Sequence, residues 1–209
     1  MEVVDLQKQF FETFSQFGLS KSETLPYWRE VESAYSGKQR HYHTLKHLQY
    51  LLNELSEVKH KISHWHILMF SLYYHDIIYS SISYKNELKS AELASERLRD
   101  IGVSEEKIEK CRDQILATKH HKTSEDMDSN YFLDADLAIL GASEEKYQQY
   151  TDGIRKEYKL VPGGIYRKGR MKLVKKFLSM DRIYKTDHFY EKYEEKARAN
   201  LTSELKLLQ

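Results

Sequence analysis

Apolar residues recur at three- and four-residue steps along nearly the whole chain, the spacing of one helix face. Leu6, Phe10, Phe14 and Phe17 open the series. Pro26 suits the first turn of a second helix, in which Trp28, Val31 and Tyr35 continue the stripe and Gly37 marks a stop. Leu45, Leu48, Leu52 and Leu55 define a third helix. Ile67 to Tyr74 is apolar almost all round, which predicts a helix covered by other helices on several sides. Glu87 to Ile101 follows, with Ala91, Ala94 and Leu98 inward and Gly102 at its end. Ser104 is an N-cap candidate for a helix bearing Ile108, Cys111, Ile115 and Thr118. Leu133, Leu137 and Leu140 precede Gly141, and Tyr147, Tyr150, Ile154 and Tyr158 follow Ser143. Phe189, Tyr193, Ala197, Leu201 and Leu205 close the series. No alternating strand pattern competes, and Lys122 to Asn130 and Val161 to Gly169 read as the most flexible stretches. The expectation is an all-α fold, a single domain over residues 1–209.

Composition supports this reading. Eight Gly and two Pro in 209 residues are too few for a turn-rich β fold, and 40% hydrophobic residues supply a core. The formal net charge of +1 gives no global attraction to nucleic acid or an anionic membrane, leaving only local patches. No nucleic-acid or membrane partner is therefore expected. A single cysteine, Cys111, forms no internal disulfide and reads as a buried, inert thiol. The first residues lack a signal-peptide pattern, and the apolar run at 67–74 is far below the roughly 18 residues of a membrane span. The expected location is the cytoplasm.

Ten histidines stand out. His43 and His47 lie four apart on a predicted helix, which puts both on one face. His75-Asp76 closes the apolar helix, His120 and His121 end the helix bearing Cys111, and Asp134 and Asp136 begin the helix that contains Leu137 and Leu140. A helical bundle can bring such groups to one internal point. Neutral imidazoles with one or more carboxylates suit a divalent cation that keeps positions open for water and substrate. His60, His64, His66 and His188 read as structural, and the 16 tyrosines as core and interface filler.

The stretch Arg40-His41-Tyr42-His43-Thr44-Leu45-Lys46-His47, then His75-Asp76, then Asp134-Ala135-Asp136-Leu137, resembles the H…HD…D pattern of the HD superfamily of metal-dependent phosphohydrolases. The motifs fall within residues 40–141, with C-terminal helices over 143–209 packed on them. The whole chain is similar to a group of bacterial HD proteins described only as predicted phosphohydrolases, through Ile154-Arg155-Lys156-Glu157-Tyr158, Gly169-Arg170 and Ala197-Arg198-Ala199-Asn200-Leu201.

The resemblance implies a helical bundle of the HD-domain type and hydrolysis of a phosphate ester, of a nucleotide or another small molecule, by metal-activated water. It implies His47, His75, Asp76 and Asp136 as ligands of one divalent ion (Mn, Fe, Co, Ni, Zn or Mg), with Asp134 as the alternative to Asp136. Asp76 would also orient or deprotonate water, and His43 would protonate the leaving oxygen. Ile77-Ile78-Tyr79-Ser80 stands where (p)ppGpp-hydrolysing relatives carry an acidic pair, which argues against that activity. A catalytic glutamate found there in other relatives would move to Glu87. His120 and His121 would serve a second metal or a phosphate. Among the basic residues Arg155, Arg167, Lys168 and Arg170, the first and last are the main candidates to clamp a substrate phosphate. Two other readings compete: a non-catalytic protein that binds a nucleotide or partner and keeps a structural metal, and an HD-type di-iron oxygenase. The aromatic terminal helices also leave room for a homo-oligomer.

Overall fold

A computed structural model describes residues 5–209. Ten α-helices account for most of it: α1 Leu6–Ser15, α2 Lys21–Tyr35, α3 Leu45–Glu57, α4 Trp65–Tyr74, α5 Asn86–Asp100, α6 Glu105–Ala117, α7 Met127–Leu137, α8 Glu144–Glu157, α9 Gly163–Leu178 and α10 Asp187–Leu208. Short 3₁₀ turns lie at Lys59–Lys61 and Ala138–Gly141, and the described residues contain no strand. No helix among them is long and apolar enough to cross a membrane. The chain divides into two compact units, one ending at Leu133 and the other running Asp134–Gln209. The division falls inside the unbroken helix α7 rather than in a linker.

The first unit is arranged around α4. All of its residues except His66 are buried, so it presents no solvent face. α1, α3, α5 and α6 pack against it. Several of its polar side chains are satisfied internally, as burial favours, although Trp65 Nε1 and His66 Nδ1 find no hydrogen-bond partner among the described residues. Tyr73 Oη donates to the Leu6 carbonyl (3.0 Å), and Tyr74 Oη donates to Glu30 (3.1 Å). Glu30 in turn takes a bidentate pair from Arg97, which ties α2 to α5. Asp128, in the first turn of α7, accepts from the backbone N–H groups of Ser63 and His64 (2.9 and 2.8 Å) and so caps the start of α4. Cys111 is buried, and burial pushes its thiol up to about 12.

Four local expectations shift. α2 begins at Lys21, five residues before Pro26, because Ser20 and Glu23 form a reciprocal capping box. Pro26 therefore sits inside the helix. α7 ends at Leu137, so Asp134 and Asp136 lie in its last turn rather than its first, and Leu140 belongs to the following 3₁₀ turn. Val161 to Gly169 is not a flexible stretch: α9 starts at Gly163, and the glycines that suggested a loop occupy its exposed face or first turn. Lys122 to Asn130 stays irregular only as far as Asp126.

In the second unit α10 lies against the 3₁₀ turn and α9. Asn200 Nδ2 donates to the carbonyls of Leu140 and Ala142, and Tyr184 Oη to that of Leu137. Arg198 serves the carbonyls of Leu178, Met180 and Asp181 while pairing with Glu194. Side chains of α10 thus satisfy carbonyls that helix ends leave open. The approach is close at Gly141, where a Cβ would stand 2.6 Å from Tyr193 Cβ and 2.8 Å from the Tyr193 carbonyl oxygen. We expect Gly141→Ala to cost about 1–3 kcal/mol, read as a lower urea midpoint with an unchanged slope.

Candidate metal centre

The end of α4 carries the chemistry. His75 is the C-cap of α4, 1% exposed, and its Nδ1 lies 2.9 Å from the Leu72 carbonyl. A carbonyl only accepts, so Nδ1 carries the proton and, in the neutral ring, the Nε2 lone pair points away from α4. His47, 4% exposed on the first turn of α3, places its Nε2 3.3 Å from His75 Nε2. Asp136 completes a group in which one ligand atom from each of the three residues lies within 4.8 Å of the others. Helix geometry explains the third member. The Phe132 ring packs edge-on against His75 with centroids 5.6 Å apart, and Asp136 lies four residues on, on the same face of α7.

The donor set fits a divalent ion. Two ligand atoms about 2.1 Å from an ion at a tetrahedral angle lie about 3.4 Å apart. The two imidazole nitrogens stand at 3.3 Å. The Leu72 carbonyl fixes the tautomer of His75 as an outer partner does for a ligating histidine.

Asp76 meets the group at its edge. Its Oδ2 lies 3.3 Å from His75 Nε2 and 3.6 Å from His43 Nε2, and its side chain is 18% exposed. Burial raises the Asp76 carboxyl, but His75, His43 and His47 together outweigh it and hold the group well below the usual carboxylate range. His43 is not on the helix of His47, as its spacing suggested. It lies in the bend before Thr44, the N-cap of α3, yet its ring still comes 5.6 Å from that of His47.

Asp134 and Asp136 have separate duties. Two positions apart on a helix is about 200° of rotation, so the two carboxylates leave α7 in opposite directions. Asp134 is fully buried and accepts from the Lys185 and Thr186 backbone N–H groups and the Thr186 hydroxyl, with Lys185 Nζ at 3.6 Å. Burial leaves its carboxyl above the usual range despite these partners.

Glu87, His120, His121, Arg155 and Arg170 are not members of this three-residue group. Among the described residues, no group of three potential ligands at this spacing includes Glu87, His120 or His121. Glu87 has Lys119 Nζ at 3.7 Å. His121 adopts a left-handed backbone (φ 49°) in the turn after α6. Arg170 is buried and gives Nε and Nη2 to Glu204 and Nη1 to Tyr150, so every guanidinium nitrogen already has a protein partner. Arg155 lies over the Tyr166 ring and donates to the carbonyls of Tyr158 and Val161. These tail elements fasten the second unit.

Arg40, the first residue of the motif stretch, braces the site. Its guanidinium donates to the carbonyls of Ile77 (2.8 Å) and His43 (3.2 Å). The rings of Tyr35 and Tyr79 flank it at 4.6 and 5.4 Å, and Tyr35 Oη accepts from the Asp76 N–H. The segment after Asp76 is held from the other side, where Ser90 bonds the Ile78 backbone and Asn86 that of Ser80. Comparison with family models, curated proteins and solved structures returns no match.

Asp134→Asn is expected to lose about 1–3 kcal/mol of stability, because an amide nitrogen then faces backbone donors. Asp136→Asn is expected to keep its stability and lose metal uptake, so calorimetry and metal titration separate the two. Arg40→Ala is expected to cost about 1–3 kcal/mol in urea denaturation, with little recovery in Arg40→Lys, because an ammonium does not reproduce the stacked fork.

Proposed function

We propose that this protein is a metal-dependent phosphohydrolase of the HD type, acting on a phosphate ester of a nucleotide or another small molecule. The observation that carries the reading is the facing pair His47 Nε2 and His75 Nε2, 3.3 Å apart with Asp136 beside them. The ordered motif resemblance supplies the reaction class. His47, His75 and Asp136 would hold the ion, with Asp76 at its edge. When bound, a divalent ion supplies charge neutralisation for phosphoryl oxygens and acidifies water.

The residues then divide the proton work. Asp76, at the edge of the ligand group and 3.6 Å from His43, would orient the attacking water or take its proton. His43, with its ring 17% exposed and 3.6 Å from Asp76, is placed to protonate the departing ester oxygen. The burial of His47 and His75 favours a second reading, in which the same ion only pins the helices.

Metal content of untagged protein, measured beside Asp136→Asn, tests the site. About one equivalent per chain in the parent, lost in the variant with helicity retained, is expected. Uptake should weaken as pH falls below about 6.5, because ligating imidazoles must be neutral. A panel of phosphate esters with added Mn, Co or Ni then tests the reaction. Failure to take up any of these ions would remove the hydrolase reading. Uptake without turnover, together with unfolding on chelation, would leave the structural ion.

A further inference from the structure

Charge along the chain is nearly balanced overall, but not locally. Residues 155–178 carry nine Lys or Arg and a single acid, Glu157, in a protein of net charge +1. Among the described α-helices that contain Lys or Arg, α9 alone has no acidic residue. Arg170, Val174 and Phe177 form its buried side. Arg167, Lys168, Lys172, Lys175 and Lys176 are exposed. Lys168, Lys172 and Lys175 follow one another at four- and three-residue steps and so form one outward stripe. None of these three, nor Arg167, has an ion-pair partner among the described residues. Like charges at this spacing disfavour the helix, and nothing on its surface offsets them.

Apolar side chains share this surface. Ile165, 64% exposed, lies three residues before Lys168 on the same face, and Leu160, 70% exposed, is in the preceding turn. We propose that the outer face of α9 docks onto an anionic phospholipid surface, with the lysine stripe over the headgroups and Leu160 and Ile165 entering the boundary beneath them. Charge complementarity names the occupant. The stripe consists of lysines, compact point charges that suit a diffuse anionic layer, rather than the arginine forks and stacking rings that single-stranded nucleic acid selects. The nearest aromatic on α9, Tyr166, is half-buried under Arg155. The surface is one of attachment, not of spanning, and it is independent of the metal centre.

Co-sedimentation of the full chain with vesicles tests this. Binding to phosphatidylcholine vesicles containing phosphatidylserine, absent with phosphatidylcholine alone and lost in high salt, is expected. Lys168→Glu/Lys172→Glu/Lys175→Glu should weaken it at least about tenfold, with circular dichroism unchanged. Should charge reversal disturb folding, the corresponding triple Gln variant should still reduce binding. Leu160→Ser/Ile165→Ser should weaken it further without altering its salt dependence. Equal binding to both vesicle types, undiminished binding by the folded lysine variants, or tighter binding to a single-stranded oligonucleotide than to the anionic vesicles would overturn the proposal.

Discussion

A helix with no solvent face must end inside the protein, and the rest of this structure follows from that requirement at α4. Nine of its ten residues are buried, so the polar groups at its ends depend on partners within the fold rather than on water. At the start, Asp128 accepts the N–H groups of Ser63 and His64, the two residues just ahead of the helix. At the finish, the Leu72 carbonyl takes the proton of His75 Nδ1. The second bond does more than satisfy a carbonyl, since it turns the other imidazole nitrogen toward His47. A structural obligation and a chemical one are met by the same side chain.

Side chains of α7 reach the start and the end of α4. Asp128, Phe132 and Asp136 recur every four residues and form one face, about 12 Å from first to last. The first caps α4, the second packs on His75, and the third joins the ligand group. Asp134 leaves the opposite side and serves the Lys185–Thr186 backbone instead. Neither carboxylate can take the other's place without a rotation that α7 cannot make while Phe132 stays packed.

Around this point, position is held by backbone contacts as much as by ligand chemistry. Arg40 joins the carbonyls of His43 and Ile77, Tyr35 receives the Asp76 N–H, and Asn86 and Ser90 hold the segment beyond it. Three neighbouring imidazoles outweigh burial and keep Asp76 charged. The site therefore combines two buried imidazoles, His47 and His75, with a partly exposed acid and histidine, Asp76 and His43. That combination allows both a held ion and access for water.

Much of this was legible in the residues alone. Helical spacing places the core stripes of α1 to α6, because burial of one face imposes a period that composition cannot disguise. The apolar run of α4 and its His75-Asp76 end also stand in the chain, whereas the His47 and Asp136 candidates rest on the motif resemblance, which left Asp134 as an alternative. The tertiary structure decided what spacing leaves open. It put His43 before a helix rather than on it, and Asp134 and Asp136 at the end of one rather than the start. It gave Arg155 and Arg170 to internal partners and revealed Arg40 as a brace. Periodicity reports which residues turn inward, whereas a hydrogen-bond partner thirty or more residues away is fixed only when helices pack. The sequence determined the faces and the candidate groups, and packing decided which of those groups meet.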